Sequence, residues 1–282
     1  MAIPEKLLEG IDKLEPMPVT AQRLTAALRD PNISAAEIAK LVEHDQGVAA
    51  TVIRTSNSAL FAGRQPIESV HAAVVRLGTA NLLSVVLDRH LKRMAVDAPL
   101  YDLRENDLWL HGAVACHAAT EILKVRPKAG IPRSSPVAAL LHDVGKLVMS
   151  RFMKADSRQL VTFARQEKVS FVEAERQVLG CDHAEVGAAL ARHWKFPEEI
   201  TDAIAWHHSP SPSGPSPVVD AAVLANLVAK TVGTGLGAEG MNLDIDPGIR
   251  KRLGMEHVDF CRLVANTSIR LAELRQEHGL KV

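Results

Sequence analysis

Charge of one sign is missing from this chain of 282 residues: Lys+Arg and Asp+Glu both number 33. No global field therefore draws it toward nucleic acid or an anionic membrane. Aromatics are scarce at 4%, which leaves few platforms for stacking single-stranded bases. Three cysteines, Cys116, Cys181 and Cys261, stand far apart with no C-x-x-C or zinc-finger spacing. They are expected to be free thiols in a reducing compartment. The first residues, MAIPEKLLEGIDKLEP, carry charge from residue 5 and lack the apolar core of a signal peptide. No long uncharged apolar run exists; the nearest, residues 218–238, contains Asp220, Asn226 and Lys230. A cytoplasmic protein without a membrane span is expected. Strand signals are also missing, because β-branched and polar residues nowhere alternate for long.

Helical signals fill the space. At 47% hydrophobic and 23% charged, the chain can bury a full core without staples. Ser34-Ala35-Ala36-Glu37 has the pattern of a capping box, followed by Ile38, Leu41 and Val42 at helical spacing. A second helix is predicted after Ser69, with Val70, Ala73, Val74 and Leu77 on one face and Gly78 as its stop. Leu82, Leu83, Val86, Leu87 and Leu91 mark a third. A last amphipathic helix is predicted from about Val258 to Glu277. The expected architecture is all-α in two lobes, residues 1–100 and 101–282, with a Ser/Pro-rich loop at 209–217.

Histidines of the second half fall into pieces that suggest chemistry: Trp109-Leu110-His111, His142-Asp143-Val144-Gly145-Lys146, Asp182-His183, and Trp206-His207-His208, with Asp220 or Asn226 beyond. Imidazoles and carboxylates brought together from several helices make metal sites. Lys146 follows His142 by four residues and Asp143 by three, hence on the same helical face, where an ammonium suits an anionic group such as phosphate. Gly145 and Gly187 would let neighbouring backbones come close. A packed or surface role is the simplest expectation for His44, His71, His90, His117, His193, His257 and His278. Trp109, Trp194 and Trp206 are expected in the core. The tripeptide Cys181-Asp182-His183 does not by itself make an activated thiol.

Two other patterns are set aside. Gly235-Leu236-Gly237-Ala238-Glu239-Gly240 satisfies G-x-G-x-x-G, but follows a helical pattern instead of a strand. Residues 34–57 could be read as a helix-turn-helix around Gln46-Gly47, yet the second helix offers Arg54 as its only strong phosphate or base contact. A nucleic-acid partner is not expected.

The order H…HD-x-G-K…H…HH resembles the HD superfamily of helical metal-dependent phosphohydrolases. In the first half, Asn57-Ser58-Ala59-Leu60-Phe61, Ile67-Glu68-Ser69-Val70 and Ala73-Val74-Val75-Arg76-Leu77-Gly78 sharpen the likeness. So do Leu14-Glu15-Pro16-Met17-Pro18, Asp30-Pro31, Ile38-Ala39 and Asp45. That series resembles the HDOD family, the HD-related output domains of bacterial signalling proteins, over roughly residues 10–230. The resemblance implies His111, His142, Asp143, His183, His207 and His208 as ligands of one or two divalent ions, iron, manganese or zinc, or as the remnant of such a set. If the site is active, Lys146 is its catalytic residue and steadies a nucleotide phosphate. The closing aspartate of HD enzymes is matched here by Asn226, in Leu224-Ala225-Asn226-Leu227-Val228-Ala229. The G-Y-P loop of the relatives that cleave cyclic di-GMP is matched by residues 209–217, without tyrosine. The resemblance therefore implies a signalling regulator, with a protein partner or a small anionic ligand, over a phosphohydrolase.

Overall fold

A computed structural model describes residues 3–30, 32–58, 60, 61, 63, 65–153, 157–209, 214–238, 243 and 245–280. Part of the Ser/Pro-rich loop, residues 210–213, lies outside them. Among the described residues the regular structure is helical, and the only extended pairing is an isolated bridge between Ala98 and Leu103.

The helices are α1 (Glu5–Asp12), α2 (Val19–Ala27), α3 (Ala35–Glu43), α4 (Gln46–Ser56), α5 (Val70–Met94), α6 (Asp107–Val125), α7 (Ser135–Leu141), α8 (Val144–Phe152), α9 (Ser157–Glu167), α10 (Phe171–Leu179), α11 (His183–His193), α12 (Glu198–Trp206), α13 (Pro217–Thr231), α14 (Pro247–Arg252) and α15 (His257–His278). They fall into two compact units, and the division is not a single cut near residue 100. The smaller comprises Glu15–Met94 with Trp194–Pro197. The larger comprises Met1–Leu14, Ala95–His193 and Glu198–Val282. Thus α1 groups with the second half of the chain.

In the smaller unit α5 packs against α2, α3 and α4, burying Leu24, Val42, Val52, Leu82, Leu83 and Leu87 completely. Each such side chain contributes about 1.5–3 kcal/mol by leaving water. The capping box at Ser34 is present, with the hydroxyl accepting from the Glu37 amide and the Glu37 carboxylate from the Ser34 amide. Asp45 caps α4 by accepting from Val48 N–H, so the turn between α3 and α4 lies one residue before Gln46-Gly47. Asn57 explains its place in the N-terminal motif. Its side-chain amide donates to the Ile67 carbonyl and accepts from the Ile67 N–H, both at 2.8 Å. One side chain thereby stands in for a backbone ladder and closes the loop before α5.

Gly78 sits at φ 73 inside α5 and separates two helical segments, as the sequence predicts for a stop. The whole span Val70–Met94 has the length and apolar composition of a membrane-crossing helix. The break leaves neither segment at the ~17–25 residues a span requires. The run 218–238 is mostly α13, a buried helix whose apolar side chains face its neighbours.

In the larger unit α6 packs against α7, α13 and α15, while α8 lies along α11 and α1. The α8–α11 contact has almost no space between backbones. A Cβ on Gly145 would lie 1.9 Å from the His183 carbonyl oxygen, and one on Gly187 would lie 3.1 Å from the Gly145 nitrogen. The two glycines therefore act as the sequence suggests, and they set the distance between Asp143 and His183.

Candidate metal centre

The ligand-type residues sit at helix ends and converge on Asp143. His111 projects from the first turns of α6. His142 closes α7 and Asp143 opens α8, so adjacent residues point from a corner between two helices. His183 opens α11, and His207 and His208 follow the end of α12. All six lie in the larger unit. His111, His142, Asp143, His183 and His207 are buried and His208 is partly exposed.

Asp143 divides the donors between its two oxygens. Oδ2 lies 3.6 Å from His111 Nε2, 3.4 Å from His142 Nε2 and 3.0 Å from Lys146 Nζ. Oδ1 lies 3.4 Å from His183 Nε2 and 3.5 Å from His207 Nε2. His208 Nε2 stands 3.0 Å from His183 Nε2. Two groups of donors result, one of Asp143, His183, His207 and His208 and one of His111, His142 and Asp143, each with its ligand atoms within 4.8 Å of one another.

Hydrogen bonds on the far side of each ring decide where the lone pairs point. His142 Nδ1–H donates to the Ala139 carbonyl and His207 Nδ1–H to the Ile204 carbonyl, each at 2.7 Å and three residues back. Thr234 spends its hydroxyl proton on the Ala229 carbonyl, so His111 Nδ1, 3.1 Å from that hydroxyl, must be the donor. The Nε2 atoms of His111, His142 and His207 are consequently bare lone pairs aimed at an anionic carboxylate. His111 and His142 bring theirs within 3.2 Å of each other. Asp143 Oδ1 and His207 Nε2 are buried without a hydrogen-bond partner. The Lys146 ammonium meets Asp143 at Oδ2; the Nε2 lone pairs still lack a donor out of water, which a cation bound among them would supply. The donor set of imidazole nitrogen and carboxylate oxygen suits iron, manganese or zinc. The residues fit a divalent ion.

Electrostatics follow the same division. Burial pulls His111 down to about 3 and His207 down to about 4, leaving both rings neutral. Burial would raise the Asp143 carboxyl, but the Lys146 ammonium beside it outweighs burial and holds it well below the usual range. Burial also opposes charge on His183; the Glu175 carboxylate overrides it and pushes the ring up to about 10.

The sequence does not point to Glu175, Tyr101 or Thr234 as members of the site. Glu175 is fully buried on α10. It accepts from His183 Nδ1–H at 2.7 Å and from the Tyr101 hydroxyl at 2.6 Å. Its carboxylate fixes the orientation of the His183 ring from outside the cluster. A buried glutamate eight residues before a histidine has no motif; its only sequence signal is position in an amphipathic helix. Lys146, expected to face an anionic ligand, is 97% buried and bonds Asp143 at 3.0 Å, with its ammonium 5.3 Å from the Tyr101 ring centre. Asn226 is buried on α13 with its Oδ1 lacking a donor. Asp220, on the same helix, is held by two hydrogen bonds of 2.7 Å from Arg252. Asp182 is buried and paired with Arg176. Trp109 and Trp194 are buried, and Trp206 is only half-buried.

The HDOD domain model matches residues 14–210. A protein of the HDOD domain and unknown function from Geobacter sulfurreducens is 28% identical and superposes with a TM-score of 0.69, over 96% of this chain and 94% of that one. A protein provisionally named a signal transduction protein, from Marinobacter aquaeolei VT8, shares the fold at 22% identity and a TM-score of 0.73, over 98% and 65% of the two chains. One provisionally named a phosphohydrolase, from Shewanella amazonensis SB2B, shares it at 21% and 0.64, over 96% and 94%. An uncharacterized protein of Treponema pallidum (strain Nichols) is 23% identical over 235 residues, 79% of this chain. The chain spans 44% of the length of that curated relative. With more than half its length matched by one domain, and with the helical fold shared along nearly all of it, this chain belongs to the HDOD family.

Proposed function

We propose that the chain is a cytoplasmic signalling module whose larger unit holds one or two divalent ions. Its output goes to a protein partner or a small anionic ligand, with no nucleic acid or membrane involved. One observation carries the metal reading: three Nε2 lone pairs with tied-off Nδ1 protons converge on the two oxygens of a buried carboxylate. His111, His142, Asp143, His183, His207 and His208 would hold the ion or ions, iron, manganese or zinc. Bound there, the metal would supply Lewis-acid polarisation of a water or a phosphoryl oxygen.

A binding role is favoured over turnover by α13. Asn226 is a neutral and weaker donor than the carboxylate HD enzymes place there, and Arg252 occupies the only nearby aspartate of that helix. The second reading, a metal-dependent phosphohydrolase acting on a nucleotide or cyclic nucleotide, draws support from Lys146. Its ammonium balances Asp143 and would steady a phosphate that displaced part of that contact.

Elemental analysis of the purified protein, with Asp143→Ala and Asp143→Asn beside it, tests the proposal. Near-stoichiometric iron, manganese or zinc is expected, lost in both variants at unchanged helicity by circular dichroism. Failure of the wild type to retain metal after anaerobic reconstitution would refute it. Metal-loaded protein that hydrolyses nucleotides or bis(p-nitrophenyl) phosphate, with activity lost on Lys146→Met, would replace the binding role with the hydrolase.

A further inference from the structure

A pocket of about 210 Å³ opens beside α6 and α15, walled by the loop 233–237 and by Asp102, Leu103, Asp107, Leu110 and Arg275. It lies on the Nδ1 side of His111, away from the Nε2 atom that faces Asp143. Its loop has little freedom. Gly235 stands at φ +67, and a Cβ there would lie 2.6 Å from His111 Nδ1. A Cβ on Gly237 would lie 2.0 Å from the Tyr101 carbonyl oxygen, which accepts from Ala238 N–H at 2.6 Å. The loop is strapped to His111 at one point and to Tyr101 at another.

Between those points the amides of Gly235, Leu236 and Gly237 donate to no acceptor among the described residues. Arg275, on the last turn of α15, is half-buried, and its guanidinium has no ion pair or hydrogen bond among them either. The opposite signs are present too. The exposed carboxylate of Asp102 has no partner among the described residues, and Asp107 uses one oxygen on the Arg104 amide, leaving the other. Leu103, Leu110 and Leu236 supply the apolar part of the wall.

That set discriminates. A simple anion would meet two carboxylates, and a simple cation would meet a guanidinium. A molecule with both charges satisfies both, its carboxylate on Arg275 and the loop amides and its ammonium on Asp102 and Asp107. The volume is below the ~300–1,000 Å³ of drug-sized sites, so the molecule is small. We propose that this pocket binds a free α-amino acid. The pocket adjoins His111 only from behind, on the side of the ring turned away from Asp143, and its occupancy does not require a metal in the centre.

The test is calorimetric titration and thermal shift of the full chain with each of the twenty L-amino acids, with acetate, methylammonium and inorganic phosphate as single-charge probes. At least one amino acid should bind one-to-one and raise Tm. Arg275→Met and Asp102→Asn, both partly exposed and expected to fold with wild-type circular dichroism, should each weaken it about tenfold or more, the loss of a charge-assisted contact. Acetate, methylammonium and phosphate should bind at least tenfold more weakly. The proposal is overturned if no amino acid binds, if binding is indifferent to both variants, or if acetate or phosphate binds as tightly as the best amino acid.

Discussion

Replacing Gly145 with alanine sets two effects of opposite sign against each other. Alanine is the better helix former by at most about 1 kcal/mol, and Gly145 lies within α8. On propensity alone the variant would be stabilised. Yet the new Cβ would stand 1.9 Å from the His183 carbonyl oxygen and 2.7 Å from the Gly187 nitrogen, both backbone atoms that no rotamer change can move. Ordinary contact begins at 3.4 Å, so α8 and α11 would have to part by about 1.5 Å locally. Overpacking of this kind costs about 1–3 kcal/mol net, which for a chain of this size lowers Tm by roughly 2–10 °C. The same displacement carries His183 away from Asp143, and metal–ligand distances tolerate only about 0.2 Å. Gly145→Ala should therefore melt earlier and lose most of its metal together. Differential scanning calorimetry and elemental analysis on one preparation read both. A Tm equal to or above wild type with metal retained would refute the close-approach argument.

Glu175→Gln should keep the fold but weaken metal binding by about 10–100-fold, because the His183 ring loses its anionic acceptor; competition with a chelator measures it. His117 is buried with neither ring nitrogen bonded, and burial pulls it down to about 4. The unfolded chain takes up that proton near 6.5, so stability should fall as pH drops from 6.5 toward 4. His117→Leu should raise Tm at neutral pH and flatten that decline, and an unchanged slope would show that His117 is not its source. Ser34→Ala should cost on the order of 1 kcal/mol by uncapping α3, visible as a lower urea midpoint at constant m-value.

The helices that announce themselves locally were legible in the sequence. Ser34 caps where its hydroxyl and spacing predict, Gly78 interrupts α5, and the last helix runs His257–His278 against an expected 258–277. His111, His142, Asp143, His183, His207 and His208 stand out in the sequence as candidate ligands because their residue types and order are unusual, and the structure brings them together. Their arrangement does not stand out there, because it depends on partners with no motif. Thr234 lies 123 residues from the ring it orients, and Glu175 reads as one more helical acid. The same limit hid the grouping of α1 with the second half, which rests on contacts such as that of Gly10 with Phe152.

The hydrogen bonds behind the rings also bear on the order in which the centre takes shape. His142 and His207 are aimed by carbonyls of their own helical turns, so those rings are set as soon as α7 and α12 form. His111 waits for a hydroxyl contributed from beyond α13. Contacts between distant residues close late. The cluster thus has members set early by local geometry and one that is set only when Thr234 has joined. A ribosome-bound or clipped molecule ending before Thr234 would carry His142 and His207 poised and His111 adrift.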